Sequence, residues 1–271
     1  MTAVRKMTEL RGIDVSKWND KINWQAVAAS GIRFAFVRAG TGAAKGGFAL
    51  DPKFAVNVNG AHEAGIGVGV YLYSYARSVE AARMEAQKML AAIEKYRDKI
   101  TWPVVYDIEE DAQAELGQSI CTAMCNAFCD AVKDAGYTPM VYCSGSWYRD
   151  HLFPGNIHAD FWIAKWSSKP PETGTYTVWQ YTDSGAVPGI SGNVDLDMAN
   201  VDYGKMPEDA EELDQVLEDV PPEPEPKDEA DGWAADAWKA AFVAGVLDGT
   251  RPKDGITRQE LALVLQRLGL T

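Results

Sequence analysis

The sequence has few of the residues that metal-dependent enzymes use as ligands. Its 271 residues include only three histidines and four cysteines. The first three cysteines recur at every fourth residue, so they share one face of a predicted helix and do not form the CxxC pairs of a zinc site. Consecutive helical turns also give poor disulfide geometry. We therefore predict no metal, no cofactor and four small buried thiols, at Cys121, Cys125, Cys129 and Cys143.

Long apolar runs and export signals are also missing. No stretch approaches the roughly 18 uninterrupted apolar residues that a spanning helix needs, which excludes a transmembrane protein. The first nine residues, MTAVRKMTE, lack the apolar segment of a secretory signal, so we expect no signal peptide. There is no P-loop, no dinucleotide-binding fingerprint and no nucleophilic Ser–His pair.

The net charge of -13 is concentrated in one segment. Residues 207–231 carry twelve acidic residues and one basic residue, Lys227, which accounts for all but two of the excess negative charges. The rest of the chain is close to neutral, so nothing resembles a nucleic-acid footprint. The proline-rich stretch 221–226 favours an extended linker. An acidic segment that binds a basic partner is the alternative, but the segment lies between two apolar-patterned regions.

Residues 11–203 alternate short apolar strands with amphipathic helices, which is typical of βα units and a mostly parallel sheet. We therefore predict an α/β fold, an irregular, TIM-like (β/α) barrel whose late strands are too close together for full helices. The predicted strands are 12–16, 34–38, 67–73, 103–109, 139–143, 161–166, 178–181 and 194–197. The predicted helices are 23–29, 52–64, 78–96, 119–135 and 146–151.

Active sites of parallel α/β barrels lie at the carboxyl ends of the strands. Acids, amides and aromatic residues end the predicted strands, and no histidines accompany them, which favours carbohydrate chemistry over a metal site. These residues are Asp14, Arg38, Tyr73, Asp107 with Glu109, Tyr142, Trp166, Gln180 with Tyr181, and Asp195 with Asp197.

The strongest single signal is PVVYDIE at 103–109. Asp107 and Glu109 are two residues apart, so on a strand both carboxyls point to one face. Two adjacent acids do not both ionise readily, so the pKa of one rises and it stays protonated near neutral pH. Cleavage of a glycosidic bond needs a protonated acid beside an ionised one. A solvated strand end is the alternative, and we expect the next residues, Glu110 and Asp111, to be exposed.

Aromatic residues near the strand ends strengthen the carbohydrate interpretation, because flat rings stack on the CH faces of sugars. Tyr71 and Trp162 are expected to fill the barrel instead. Asp14 and Asp195 come from the first and last strands, which are neighbours in a closed barrel, so both should approach the acid pair. The predicted substrate-binding residues are Tyr73, Tyr75, Tyr142, Trp166, Trp179 and Gln180.

Five separated motifs make residues 9–205 resemble glycoside hydrolase family 25, the Chalaropsis-type lysozymes or N-acetylmuramidases. The motifs are RGIDVSKW at 11–18, DIE at 107–109, WIAKW at 162–166, VWQY at 178–181 and GNVDLD at 192–197. The resemblance implies hydrolysis of the β-1,4 bond between N-acetylmuramic acid and N-acetylglucosamine in bacterial peptidoglycan, without metal or cofactor.

The resemblance also implies roles for four catalytic residues. Glu109 would be the general acid, and Asp107 would orient the acetamido group of the substrate as internal nucleophile or stabilise the oxocarbenium ion directly. Asp14 and Asp195 match the flanking acids of the family. The sequence departs from many relatives at Arg38, where they carry a lysine-containing segment, so the resemblance assigns no substrate role to Arg38.

Residues 232–271 are predicted to form a small all-α module. Thr257 and Glu260 form a capping box at the start of its second helix. The segment ITRQE at 256–260 resembles a shortened S-layer homology motif, which implies binding of a cell-wall polymer. So short a module buries little apolar surface. We therefore also expect it to associate, either as a homo-oligomer or with the catalytic domain.

The predicted layout is a muramidase domain at 1–206, a linker at 207–231 and the helical module at 232–271. This layout is typical of a phage endolysin, which stays in the host cytoplasm until lysis and then attacks a Gram-positive cell wall. The alternatives are a secreted bacterial autolysin of the same chemistry and a non-catalytic carbohydrate-binding barrel. A chitinase-like enzyme would be expected to carry further acids at 103–106, where this sequence has PVVY.

Overall fold

The computed structural model describes residues 9–172 and 175–204. The predictions for the linker at 207–231 and the module at 232–271 lie outside the described residues. So does most of the N-terminal segment that was examined for a signal peptide. No helix in the described ranges has the length and apolar character needed to cross a membrane.

The described residues form a closed barrel of eight strands with a ninth strand at one rim. Strand order around the barrel is β1-β9-β8-β7-β6-β5-β4-β2, and pairing of β1 with β2 closes it. Every pairing between barrel strands is parallel except those of β9, which runs antiparallel to β1 and β8. The strands are β1 (Leu10–Val15), β2 (Phe34–Ala43), β3 (Gly47–Leu50), β4 (Gly67–Tyr73), β5 (Ile100–Asp107), β6 (Pro139–Ser144), β7 (Asp160–Ala164), β8 (Val178–Gly185) and β9 (Val194–Ala199).

The predicted irregular barrel is confirmed, and each of the eight predicted strands has its counterpart. The prediction missed β3, which forms an antiparallel hairpin with the end of β2. The hairpin turns at Gly46, whose φ of 74° lies in the left-handed region that favours glycine. Strand β3 has only four residues and its last two are exposed, so it lacks the apolar pattern by which the barrel strands were predicted.

Helices cover the outside of the barrel. The longest, α5, has its three cysteines buried against the strands, and α3 begins at Ser78, whose hydroxyl accepts from the amide of Ala81 at 3.1 Å. Among the described residues no helix links β7 to β8 or β8 to β9, as expected from the short spacing. The helices are α1 (Trp24–Ala29), α2 (Phe54–Glu63), α3 (Val79–Ile93), α4 (Asp111–Ala114), α5 (Gln118–Asp134) and α6 (Gly145–Asp150), with 3₁₀ turns at Glu94–Lys99 and Pro154–Asn156.

All four cysteines are free and buried, as predicted. Burial raises the pKa of Cys125 and Cys129, which keeps these thiols neutral and unreactive. They fill the layer between α5 and the strands as small apolar side chains.

Aromatic rings fill the lower part of the barrel interior. Phe34 stacks on Trp102 with ring centroids 4.1 Å apart, and Phe36 stacks on Trp162 at 4.5 Å. A Cβ atom at Gly12 would lie 2.2 Å from the Phe34 ring, so only glycine lets β1 pass this layer. Burying each such ring stabilises the folded state by about 1.5–3 kcal/mol. These stacked rings form the apolar core of this end of the barrel. The buried residues Asp14, Asp107 and Gln180 lie toward the other end, which we call the mouth of the barrel.

Candidate active site

The mouth collects polar side chains from strands on all sides of the barrel. Asp14 lies near the end of β1, Asp107 is the last residue of β5, and Gln180 lies on β8. All three are at least nine-tenths buried. The barrel therefore brings together the ends of strands that are far apart in the sequence, as its topology requires.

Strand β9 has its amino-terminal end at the mouth, because it runs antiparallel to β1 and β8. The prediction placed Asp195 and Asp197 at the carboxyl end of a strand, but β9 is antiparallel to its neighbours and continues to Ala199. These acids therefore belong to the first four residues of β9, the end of the strand that starts at the mouth. Asp14 pairs directly with Asp195, so the predicted proximity of these two residues is confirmed.

Asp107 and Glu109 form what we call the acid pair. Asp107 ends β5 and is buried, whereas Glu109 follows the strand and is half-buried. Burial raises the pKa of Asp107, and the charge of Glu109 raises it further, so the two carboxyls interact. Burial also raises the pKa of Glu109, although the hydroxyl of Tyr73 opposes that rise. The Oδ1 atom of Asp107 is buried without a hydrogen-bond partner.

The expectation that Glu110 is exposed was wrong. Glu110 is half-buried, and its Oε1 accepts a hydrogen bond of 2.6 Å from the Tyr73 hydroxyl. The ring of Tyr73 packs on that of Tyr75 with centroids 5.1 Å apart. The chain turns away from the strand direction after Asp107, so strand alternation no longer predicts where Glu110 points. Asp111 is exposed, as expected.

Asp14, Asp195 and Asp197 form a second group, which we call the acid trio. Burial, followed by the charges of Asp197 and Asp195, raises the pKa of Asp14 well above its usual value. Burial raises the pKa of Asp195 to about 6 and also raises that of Asp197. Asp197 is fully buried and accepts a 2.8 Å hydrogen bond from the Trp162 indole. Asp197 was predicted at a strand end together with Asp195 but was not included among the predicted catalytic residues.

Gln180 connects the acid trio to the aromatic residues. Its Nε2 donates to Asp14 at 2.8 Å, and its Oε1 accepts from the Tyr142 hydroxyl at 3.0 Å and from the Trp166 indole at 3.1 Å. Gln180 and Tyr142 are buried beneath the mouth, whereas 61% of Trp166 is exposed. One amide thus fixes residues from β1, β6 and the segment after β7.

The remaining predicted substrate-binding residues differ in placement. Tyr75 is 41% exposed beyond the end of β4. Trp179 does not join the acids, because it alternates with inward-facing Gln180 along β8 and donates to the Lys165 carbonyl at 2.8 Å. The prediction assigned no role to Trp18, which follows β1 at the mouth and is 79% exposed. The Lys17 ammonium lies 4.8 Å from its ring.

Arg38 and Asp51 form a buried ion pair at the mouth. The Nη2 and Nε atoms of Arg38 lie 2.7 and 2.8 Å from Asp51 Oδ2. Arg38 was predicted at a strand end, whereas Asp51 was not predicted as its partner. The hairpin of β2 and β3 brings Asp51 back beside Arg38, so an element missed in the prediction supplies its partner.

The arrangement favours proton transfer. At least five carboxyls share a mouth with partly exposed aromatic rings, and burial favours the protonated form of each. The described ranges contain no group of His, Cys, Asp and Glu side chains arranged to hold a metal ion. A carboxylic acid that keeps its proton near neutral pH can protonate a leaving group, and an adjacent carboxylate can stabilise positive charge.

Comparisons with known proteins agree on one family. The sequence profile of "Glycosyl hydrolases family 25" matches residues 13–190. Lysozyme M1 of Streptomyces globisporus is 29% identical over 212 residues, covering 70% of this chain and 68% of that relative. Protein YegX of Escherichia coli O157:H7 is 31% identical over 198 residues, covering 70% of each chain.

The fold also matches a solved structure of the modular autolysin LytC from Streptococcus pneumoniae, in complex with a synthetic peptidoglycan ligand. The TM-score is 0.60 at 28% identity over 70% of this chain. The match spans about half of that autolysin, 46% of its chain, so the similarity concerns one part of a larger protein.

Proposed function

The chain belongs to glycosyl hydrolases family 25, and from this premise we propose that it hydrolyses the β-1,4 bond between N-acetylmuramic acid and N-acetylglucosamine in bacterial peptidoglycan. The observation that carries the proposal is the acid pair at the barrel mouth, where burial raises the pKa of both carboxyls. The lysozyme from Streptomyces globisporus and the peptidoglycan ligand of the pneumococcal autolysin support this choice of substrate.

Glu109 acts as the general acid. Its carboxyl is half-buried, so burial favours the protonated form while a substrate in the mouth can still reach it. Protonation of the glycosidic oxygen by Glu109 lets the leaving sugar depart as an alcohol. The positive charge that develops on the remaining sugar ring then needs a neighbouring anion.

Asp107 is the neighbouring carboxyl, and it can stabilise that positive charge in two ways. Its buried Oδ1 has no protein partner, so this atom can accept a hydrogen bond from the acetamido N–H of the substrate. That bond would orient the acetamido oxygen as internal nucleophile. Direct stabilisation of the oxocarbenium ion is the alternative, and this second route requires Asp107 to be ionised.

The exposed rings around the mouth hold the glycan strand. Trp166, Tyr75 and Trp18 each present a ring to solvent at a strand end, and sugar CH faces stack on such rings. Trp166 is additionally fixed by its hydrogen bond to Gln180. Gln180 and Tyr142 act beneath this surface by holding Trp166 and Asp14 in place, while Asp14 and Asp195 flank the acid pair.

The test is hydrolysis of purified Gram-positive cell walls. We expect the full chain to reduce wall turbidity and to release reducing ends that are N-acetylmuramic acid. Glu109→Gln should lower the rate by about 10²–10⁴-fold, because an amide cannot donate the proton. Its circular dichroism spectrum and melting temperature should remain close to those of the wild type.

Glu115→Gln is the matched control, because Glu115 follows α4 at its C-terminal end, is largely exposed and forms a surface ion pair of 3.5 Å with Arg77. It should clear walls at the wild-type rate. Reducing N-acetylglucosamine would contradict the bond assignment. Wall binding without release of reducing ends would favour a non-catalytic carbohydrate-binding barrel instead.

The C-terminal region extends the proposal to targeting. The composition of residues 207–231 supports a linker, and the motif at 256–260 supports a module that holds a cell-wall polymer or self-associates. This layout fits an endolysin that acts on the wall after release from the host cytoplasm, and equally a secreted autolysin of the same chemistry.

Sedimentation of the full chain and of a variant ending at residue 206 tests self-association. If the module associates, the full chain sediments as an oligomer and the shortened variant as a monomer. Monomeric behaviour of both would remove self-association and leave wall binding, which co-sedimentation of each protein with cell walls measures.

A further inference from the structure

Glu85 is a fully buried acid that takes no direct part in the proposed chemistry. It lies in the middle of α3, on the outside of the barrel. Its Oε1 accepts a hydrogen bond of 2.9 Å from the Ala43 amide at the end of β2, and its Oε2 accepts one of 2.7 Å from the Ser74 hydroxyl directly after β4. Burial raises the pKa of Glu85 to about 7, and these hydrogen bonds oppose the rise. Such partners are needed, because a buried carboxyl without them is strongly unfavourable.

The chain around Glu85 makes room for this carboxyl. A Cβ atom at Gly42 would overlap the Glu85 carboxyl, so glycine lets the end of β2 approach α3. The amide of Tyr75 also donates to Oε1, at 3.4 Å. Glu85 therefore joins α3 to two segments at the mouth, the hairpin of β2 and β3 and the turn that follows β4.

Ser74 connects Glu85 to the acid pair. It is fully buried, and besides Glu85 its hydroxyl contacts the Tyr106 hydroxyl at 2.8 Å and the Gln113 Nε2 at 3.1 Å. Its backbone amide donates to the Asp107 carbonyl at 3.0 Å. One residue thus links the carboxyl on α3 to the last residue of β5.

Gln113 extends the connection to the residue after the acid pair. It is fully buried on α4, and its Nε2 donates to the Ser74 hydroxyl and to the Ala76 carbonyl, both at 3.1 Å. Its Oε1 accepts from the Glu110 amide at 3.2 Å. We call the connected side chains of Glu85, Ser74 and Gln113 the buried network.

The two ends of the buried network lie on either side of Glu109. Because β5 ends at Asp107, Glu109 lies past the strand. The Asp107 carbonyl is held by Ser74, and the Glu110 amide is held by Gln113. The backbone that carries Glu109 is therefore fixed by hydrogen bonds from the turn after β4 and from α4.

The position of a general acid decides how well it transfers its proton, since a displacement of about 1 Å can lower a rate by about 10²-fold. We propose that Glu85 is a positioning residue that holds the backbone on both sides of Glu109 through the buried network and so places the Glu109 carboxyl for proton transfer. This inference rests on the proposed function.

The test is a double-mutant cycle between Glu85→Gln and Glu109→Gln, measured by steady-state kinetics on soluble, uncrosslinked peptidoglycan. Glutamine matches the volume of glutamate but presents an NH₂ group to Ser74, whose hydroxyl already accepts from Gln113. In the wild-type background Glu85→Gln should lower kcat by about tenfold and change KM by less than about twofold. In the Glu109→Gln background it should lower the residual kcat by less than about twofold, because the proton donor is already absent.

Glu80→Gln is the matched control, because it makes the same chemical change at an exposed position of α3. Its kinetics should equal those of the wild type. Ser74→Ala provides a second route to the same cycle if Glu85→Gln does not fold, since it removes the hydroxyl that Glu85 and Gln113 share. We expect it to show the same loss and the same dependence on Glu109.

A tenfold loss in both backgrounds would show a merely structural role, because partial unfolding lowers every rate equally, and it would overturn the inference. So would wild-type kinetics of Glu85→Gln. Failure of the proposed function differs from both outcomes, since the wild type itself would then release no reducing ends.

Discussion

The acid pair and the acid trio occupy the same barrel mouth but differ in what neutralises them. The acid pair, Asp107 and Glu109, has the cation Arg38 nearby and one carboxyl oxygen without a partner. Within residues 9–172 and 175–204, the acid trio receives hydrogen bonds from neutral side chains, the amide of Gln180 and the indole of Trp162. Similar burial is therefore accompanied by different surroundings, a buried cation near the acid pair and neutral hydrogen-bond donors on the acid trio.

Five acids can lie together at the barrel mouth because most of them keep their protons. Ionising all of them would require several desolvated negative charges in contact, which costs far more than keeping protons on most of them. The fold supplies one buried positive charge to the acid pair and hydrogen-bond donors to the acid trio. We expect proton transfer to substrate from the first group and support from the second.

Neutralising one member of each group tests whether the acid pair and the acid trio have separate roles. Asp107→Asn should lower kcat by about 10²–10³-fold with little change in KM, because it removes a charge that stabilises the transition state. Asp195→Asn should lower kcat by only about tenfold, because Asp195 acts through Asp14. Steady-state kinetics on soluble peptidoglycan measure both, and equal losses would show that the two groups do not have separate roles.

A smaller effect should appear in stability rather than in rate. Burial raises the pKa of Asp197 above its value in the unfolded chain, so the native state binds this proton more tightly. The stabilisation is therefore present at low pH, below the unfolded pKa, and is lost as the pH rises through the folded pKa. Asp197→Asn keeps the acceptor for the Trp162 indole and removes the titration.

Thermal unfolding at pH 5 and pH 8 tests this point. The difference between the melting temperature of Asp197→Asn and that of the wild type should become more positive at pH 8 than at pH 5. Asp150→Asn is the control, since Asp150 forms an exposed ion pair with Arg149 and should show no such change. A pH-independent difference for Asp197→Asn would mean that Asp197 is not held protonated by the fold.

Much of the barrel could be predicted from the sequence because its strands are buried on both sides. Segments such as 34–38 and 103–107 are almost continuously apolar, and they alternate with helices at regular intervals. The hairpin strand β3 escaped prediction because it lies at the rim and half of it is exposed. The reversed direction of β9 also escaped, since strand patterns carry no information on direction.

Part of the candidate site could likewise be predicted from the sequence, and part could not. The spacing of Asp107 and Glu109 singled them out, although β5 ends at Asp107 and Glu109 lies beyond the strand, whereas barrel closure placed Asp14 beside Asp195. Gln180 was predicted to contact substrate, yet its hydrogen bonds to Tyr142, Trp166 and Asp14 make it a connector beneath the mouth. Such a network depends on which side chains meet across strands, and spacing along one strand does not predict it.

The amino-acid order by itself determined the alternation of strands and helices, and with it the kind of fold and the identity of the acid pair. Only the tertiary structure decided which charges surround those acids. Asp51 is thirteen residues from Arg38 along the chain, and Gln180 is 166 residues from Asp14. Periodicity records whether a residue faces water or the core, whereas the pKa of a carboxyl depends on the distances and charges of neighbours that only the closed barrel brings together.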